Sequence, residues 1–175
     1  MKWNFSHSGF TFVELMIVTT MIAILMGIAL FPYGYYMDRS RVEKNIDSIS
    51  QEWILAHNDV KNGILYNPDS HAHLYLHFTI GAESVNIYMS TGGTSPEKFY
   101  KTLPLEQKIQ IQSFSGIELG GTSEIIYHIE PPYGYGKFST GGTEVSLTGI
   151  TMTIGYPGAS LASGRARQIL LRPYY

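Results

Sequence analysis

The sequence predicts an α+β protein in which one long N-terminal helix packs on a C-terminal antiparallel β domain. Three observations predict this fold: an apolar run over 10–31, an apolar stripe with helical spacing within 32–63, and short strands separated by turn residues within 64–175. We expect the first half of the helix to span a membrane and the second half to be amphipathic. Residues 1–9 form a short segment before the apolar run.

The composition excludes several classes of function. Charged residues make up 15% of the chain, below the usual quarter, as expected if part of the chain lies in lipid. The net charge of −2 offers no bulk attraction for nucleic acid. The absence of cysteine excludes disulfides, thiolate metal sites and a cysteine nucleophile. Eighteen glycines and 13 tyrosines indicate a turn-rich β domain.

The apolar run from Phe10 to Phe31 contains one ionisable residue, Glu14. At about 1.5 Å per residue, a helix of this length crosses the roughly 30 Å hydrocarbon core of a bilayer. A cleaved secretory signal has a shorter apolar run with a small residue after it, whereas Gly9 precedes this run. In a plain membrane anchor, Glu14 would simply lie near the interface. Alternatively, cleavage after Gly9 would leave an α-amino group on Phe10, one helical turn from Glu14, in the same chain or in a neighbouring copy.

The stretch GFTFVE at residues 9–14, followed directly by the apolar helix, resembles the N-terminus of type IV prepilins and type II secretion pseudopilins. The resemblance implies a pilin-like fold. It also implies that a membrane prepilin peptidase removes residues 1–9 as a leader by cutting after Gly9, and methylates the new N-terminus at Phe10. The helices of many copies would then pack into a filament core, with Glu14 fixing register and recruitment.

Membrane orientation follows from this resemblance alone. The leader carries one fixed positive charge, Lys2, whereas Arg39, Arg41 and Lys44 follow the span. The positive-inside rule therefore does not decide the orientation. The resemblance places the leader inside and the β domain outside the inner membrane.

The second half of the helix has one apolar face and defined ends. Pro32 lacks the N–H that would bond the carbonyl four residues earlier, so we expect a bend or break there. Gly63 is a C-terminal stop. The apolar stripe that we expect to pack on a sheet consists of Val42, Ile46, Ile49, Trp53, Ala56 and Val60.

Beyond Gly63 the alternation predicts strands at Leu74–Thr79, Val85–Ser90, Lys108–Phe114, Ile125–Ile129, Glu144–Thr148, Thr151–Tyr156 and Arg167–Leu171. The sequence STGGT occurs at 90–94 and again at 139–143, and both copies are predicted to be hairpin turns, because neither has the lysine of a phosphate-binding loop. The tyrosine-rich piece 132–136 is interpreted as a surface loop.

Neither a metal site nor an enzyme is predicted. His71, His73 and His77 would share one face of a strand, but no carboxylate accompanies them in the sequence, so we interpret them as surface residues. The stretch GASLA around Ser160 lacks the last glycine of the Gly-x-Ser-x-Gly nucleophile elbow. We therefore expect no catalytic residue, no metal and no cofactor.

The C-terminal region is basic, because no acidic residue follows Glu144 while Arg165, Arg167 and Arg172 do. The stretch GRAR at 164–167 resembles the Gly-Arg-x-Arg element of FimT-like minor pilins, where it carries DNA binding, and its neighbourhood resembles the wider FimT/GspH group. In many of those proteins the Gly-Arg pair simply opens the last strand. The three arginines are therefore candidate phosphate contacts or structural residues of an edge strand.

These observations predict a structural subunit, a minor pilin or pseudopilin, of a type IV pilus-like filament. The absence of the cysteine pair of many major pilins favours a minor subunit. Its expected partners are a prepilin peptidase, other pilin subunits and the inner membrane before assembly. The expected location is a single-pass inner-membrane precursor and then a surface or periplasmic filament. Two alternatives stay open: a DNA-uptake pilin, and a secretion pseudopilin that contacts an exported protein.

Overall fold

The computed structural model describes residues 10–67, 70–92, 97–106, 108–116, 123–145 and 148–173. The predicted leader, with Gly9 and Lys2, lies outside the described residues. The chain divides into two compact units, with the boundary between Asp38 and Arg39. The α+β class is confirmed: one long N-terminal helix and antiparallel sheets.

The helix α1 begins at Phe12 and ends at Lys61, with Pro32 inside it. The predicted break at Pro32 is wrong, since helical structure continues on both sides of the ring. A proline removes one backbone hydrogen bond, and a helix of 50 residues continues in spite of that loss because its other hydrogen bonds remain.

The C-terminus of α1 is confirmed at Gly63. This glycine has φ of 78°, in the left-handed region that favours glycine. Its N–H bonds the carbonyl of Val60 at 3.1 Å, and the N–H of Ile64 bonds the carbonyl of Asp59 at 3.0 Å. The two bonds form a Schellman motif, which satisfies carbonyls that the helix end would otherwise leave unpaired.

Eleven strands are described, and they form three antiparallel sheets. The strands are β1 (Leu65–Asn67), β2 (Ser70–His71), β3 (His73–Thr79), β4 (Ser84–Ser90), β5 (Lys98–Pro104), β6 (Gln110–Ser115), β7 (Glu124–Glu130), β8 (Tyr135–Thr140), β9 (Thr143–Val145), β10 (Ile150–Gly155) and β11 (Ala166–Leu171). They form sheets of order β1-β2, β11-β10-β6 and β5-β4-β3-β7-β8-β9. Every pairing is antiparallel.

The stripe on α1 forms part of the hydrophobic core of the second unit. Five of its members are at most 5% exposed, and Ile46 is partly buried against them. The inward-facing residues of β3, β4, β7 and β10 complete this core, as their alternating burial shows. The prediction that the second half of the helix packs its apolar face on a sheet is confirmed.

An aromatic cluster lies where α1 meets β3, β7 and β8. The ring of Trp53 stacks on Tyr127 at 3.9 Å between centroids and also contacts Phe78 and Phe138. Beside it, His57 Nδ1 donates to the carbonyl of Trp53 at 2.7 Å, so His57 Nε2 accepts from the hydroxyl of Tyr127 at 2.9 Å. Burial lowers the pKa of His57, which keeps this ring neutral.

Most bounds of the seven predicted strands are confirmed to within a residue or two. The strand predicted from Lys108 begins instead at Gln110, because Lys108 has φ of 65°, a left-handed conformation that strands do not use. The strand predicted over Glu144–Thr148 is described as Thr143–Val145, and residues 146 and 147 lie outside the described residues. Strands β1, β2, β5 and β8 were not predicted.

The second STGGT copy connects β8 with its antiparallel neighbour β9. The first copy follows β4, and its residues 93 and 94 lie outside the described residues. In the second copy, Gly141 and Gly142 have φ of 56° and 82°, as a two-residue type I′ hairpin turn requires. The interpretation of 132–136 as a surface loop is wrong in part. Strand β8 begins at Tyr135, and Gly136 is buried against the ring of Tyr127.

Candidate processing and assembly site

The start of α1 is closed by a reciprocal pair of hydrogen bonds between Thr11 and Glu14. The N–H of Thr11 donates to Glu14 Oε2 at 2.8 Å, and the N–H of Glu14 donates to Thr11 Oγ1 at 3.2 Å. The hydroxyl of Thr11 also donates to Glu14 Oε2 at 3.0 Å. This arrangement is a capping box, in which residues three apart satisfy each other's free N–H groups.

The capping box was not predicted, although residues 11–14 have the Thr-x-x-Glu pattern that indicates one before an apolar run. Glu14 was considered only as a partner for the Phe10 amine. In the precursor that nitrogen belongs to a peptide bond, so the predicted ion pair stays a prediction. Phe10 is 84% exposed and precedes the first helical residue, Phe12, whereas Gly9 lies outside the described residues.

The large apolar side chains between Phe10 and Leu30 are all exposed, from 46% at Ile22 to 84% at Phe10. The helix that carries them is long and apolar enough to cross a membrane, with a mean hydropathy of 2.3 over its most apolar window and none of that window buried. A continuous apolar surface of this length needs lipid or other apolar helices around it.

Comparison with known proteins assigns this segment. Residues 4–30 match the family model of the prokaryotic N-terminal methylation motif. The match indicates a type IV pilin-like precursor that is processed at its N-terminus, and this implies a prepilin peptidase and other pilins as partners. Neither the curated proteins nor the solved structures that were compared with the chain gave a match. The narrower FimT/GspH kind stays a prediction.

The candidate arginines of this pilin-like chain are engaged with the fold. Arg167 Nη2 lies 3.3 Å from Glu43 Oε1 on α1, and Arg167 Nε is buried without a hydrogen-bond partner among the described residues. The guanidinium of Arg165 lies 4.7 Å from the ring centre of Tyr156, a cation–π distance. Arg172 is exposed after β11, beside the groove between Ser50 and Leu170.

Arg167 belongs to a larger group of charged residues whose proximity was not predicted from the sequence. Glu43 also forms a salt bridge with Arg39, with 3.1 Å between Glu43 Oε1 and Arg39 Nε. One turn further along α1, Arg41 and Lys44 lie 3.7 and 3.8 Å from the carboxylate of Glu106. We name Arg39, Arg41, Lys44, Arg165 and Arg167 the basic cluster; all but Arg165 lie within 4 Å of the carboxylate of Glu43 or Glu106.

Of the three candidate histidines, only two share a face. His71 ends β2, while His73 and His77 lie on the same face of β3 and are half-buried. The expectation that no carboxylate accompanies them is wrong, because the sheet brings Glu97 and Glu124 to His77. His77 Nε2 lies 2.9 Å from Glu97 Oε2, and His77 Nδ1 lies 2.9 Å from Glu124 Oε1.

His73 is paired differently, with His128 on β7. His73 Nδ1 and His128 Nε2 share one hydrogen bond of 2.8 Å, and Tyr75 stacks on His128 at 4.3 Å. Burial, followed by the neighbouring charge of His73, lowers the pKa of His128 to about 4. Among the described residues, no group of three or more histidine, aspartate or glutamate side chains is arranged to hold a metal ion.

Proposed function

We propose that this protein is a structural subunit of a type IV pilus-like filament, cut between Gly9 and Phe10 and assembled through the first half of α1. The observation that carries the proposal is the conjunction of the methylation motif at 4–30 with an exposed apolar helix that begins inside the motif, at Phe12. Neither a signal peptide nor a buried core helix has both features.

The exposed helix accounts for both stages of the subunit's life. In the precursor, lipid surrounds the apolar side chains from Phe12 to Leu30. In the filament, the same side chains pack against the helices of other copies, and van der Waals contacts replace lipid contacts. Glu14 is the one charge in this surface, so a register that leaves its carboxylate without a cation in an apolar environment is strongly disfavoured by the cost of desolvating the charge. The α-amino group of Phe10 in a neighbouring copy is the cation that we propose to pair with it.

Removing the charge of Glu14 tests this assembly role. Glu14→Ala and Glu14→Gln should both insert in the membrane at the wild-type level and both be missing from sheared filaments. Thr19→Val is the matched control, because its hydroxyl bonds only carbonyls of its own helix, at 3.0 Å to Leu15 and Met16. Incorporation of Glu14→Gln at the level of Thr19→Val would overturn the role of the charge.

We further propose a minor rather than a major subunit, on the resemblance to the FimT/GspH group and on the lack of cysteine. A minor subunit should be present in far fewer copies than the main pilin. Quantitative mass spectrometry of purified filaments checks this, and a near-equal ratio to the filament's main component would contradict it. If the partner is an exported protein, crosslinking in cells should capture the β domain on a secreted substrate instead.

DNA binding is a second candidate, which the basic cluster favours and the carboxylates within it oppose. Each phosphate contact lowers the logarithm of affinity by about 0.9 per tenfold rise in salt. The full chain in detergent should therefore bind duplex DNA weakly, with a small salt slope that Arg165→Gln together with Arg167→Gln reduces. Lys98→Gln on β5, in the other sheet, is the control. Equal binding by all three proteins would return the arginines to a structural role.

No catalytic residue, metal or cofactor is part of this proposal. Ser160 has a structural task, since its hydroxyl accepts the N–H of Ser163 at 3.3 Å and caps the short 3-10 helix Leu161–Ser163. Loss of that cap should affect the local loop and leave filament incorporation unchanged.

A further inference from the structure

The capping box lies two residues from the bond at which the proposed processing occurs. Phe10 and Thr11 precede the first helical residue, Phe12, and Thr11 occupies the N-cap position. We propose that Thr11 is a positioning residue for cleavage: its capping box with Glu14 makes the helix begin at Phe12 and so keeps Phe10, at whose amino side the proposed cut lies, outside the helix and accessible to a peptidase. This inference rests on the proposed function.

A cleaved peptide bond has to be presented in a conformation that leaves its carbonyl accessible to the enzyme, and within a helix that carbonyl is engaged in an internal bond. An N-cap residue has extended dihedral angles, which interrupt helix propagation at that residue. Without the box, the free N–H groups at the start of α1 need another partner. Near the apolar core of the membrane few water molecules are available, so extension of the helix toward Phe10 becomes the alternative.

The two proposed roles of Glu14 have different chemical requirements. Capping requires an acceptor oxygen, and both donors of Thr11 reach the same atom, Oε2. Assembly requires a negative charge, and the box does not use Oε1. Because glutamine can complete a capping box as glutamate does, Glu14→Gln separates capping from charge within one side chain.

The experiment measures the rate at which a prepilin peptidase removes residues 1–9 from the full-length precursor in membranes, with the new N-terminus identified by mass spectrometry. Thr11→Val removes the cap at nearly constant volume, and Thr11→Ser restores it. Since an N-cap alters the local equilibrium by a factor of roughly 2 to 30, we expect Thr11→Val and Glu14→Ala to be cut more slowly by a factor in that range. Thr11→Ser and Glu14→Gln should recover most of the lost rate.

Thr19→Val makes the same chemical change eight residues further along the helix and provides the control for general effects of losing a hydroxyl. Cleavage of Thr11→Val at the rate of Thr19→Val would overturn the positioning role while leaving the proposed function intact. Equal slowing by Thr11→Val and Thr11→Ser would also overturn it, because the hydroxyl would then be irrelevant. If the wild-type precursor is not cut after Gly9 at all, the proposed function and this inference fail together.

Discussion

Gly136 on β8 is the position at which the smallest change should do the greatest damage to the β domain. A Cβ atom at this residue would lie 1.6 Å from the hydroxyl oxygen of Tyr127 and 2.1 Å from its Cζ. Tyr127 is fully buried and its hydroxyl is tied to His57. The ring therefore has to move, and the movement breaks that hydrogen bond and the stacking on Trp53.

The cost of Gly136→Ala follows from two contributions. Overpacking a filled core costs about 1 to 3 kcal/mol, and leaving a buried polar pair unsatisfied costs about 1 to 3 kcal/mol more. We therefore expect the free energy of unfolding to fall by about 2 to 6 kcal/mol, a large part of the roughly 5 to 15 kcal/mol that a domain has. Tyr127→Phe, which loses only the hydrogen bond, should cost about 1 to 3 kcal/mol.

The assay is urea unfolding of the full chain in detergent, followed by the fluorescence of Trp53. The chain has two tryptophans, Trp3 and Trp53, so all variants carry Trp3→Phe to make Trp53 the single reporter. Ser139→Ala, on the same strand, is the control and should change the free energy of unfolding by less than about 0.5 kcal/mol. If Gly136→Ala is as stable as Ser139→Ala, the inferred contact between β8 and Tyr127 is wrong.

Three further predictions concern pH, a turn and a buried amide. Because burial lowers the pKa of His57 and lowers that of His128 to about 4, the unfolded chain takes up these protons first as the pH falls. Stability should therefore decline below about pH 6.5, by at most about 1.4 kcal/mol per pH unit for each ring, and His128→Gln should flatten the curve; constant stability between pH 7 and 5 would contradict this. At Gly142, where φ is 82° and a Cβ would meet open space, alanine should cost about 1 to 2 kcal/mol and asparagine less, and equal unfolding midpoints would show that strain is absent. The buried amide of Asn45 bonds the carbonyl of Arg41 at 2.7 Å and the N–H of Glu106 at 2.9 Å; Asn45→Ala should cost about 1 to 3 kcal/mol, and a thermal melt within error of wild type would refute the role of these bonds.

The sequence was sufficient for those features that depend on residues close together in the chain. The apolar stripe from Val42 to Val60 is recognised by its helical spacing, and the end of the helix is recognised by one glycine, Gly63. Both predictions are confirmed. The alternation of β3 and β7 is equally local. Lys108 was misassigned because a left-handed residue interrupts a pattern that its neighbours otherwise continue.

Partners that come from distant strands could not be predicted. His77 meets Glu97 and Glu124, which lie 20 and 47 residues away. The pairing of β3 with β7 brings Glu124 to His77, whereas Glu97 directly precedes β5, in the same sheet. The basic cluster likewise joins α1 to β11, with Arg167 and Glu43 separated by 124 residues. Gly136 was predicted to lie in an exposed loop because its neighbours are tyrosines and glycines. It is buried because the ring of Tyr127, from another strand, covers it. The capping box is different, because Thr11 and Glu14 were close enough in sequence to be recognised.

The two halves of α1 should tolerate substitution very differently, although they form one helix. If the proposed function is right, the apolar side chains upstream of Asp38 contact lipid or other helices, so leucine, isoleucine, methionine and valine should be nearly interchangeable there. Downstream, Trp53 has three fixed aromatic neighbours, and each stripe residue fills a defined volume. A saturation library selected for surface display should therefore accept many apolar replacements between Leu15 and Leu30, and almost none at Trp53, Ala56 or Val60. The amino-acid sequence would then change fastest in the first half of α1, where nearly all side chains are apolar.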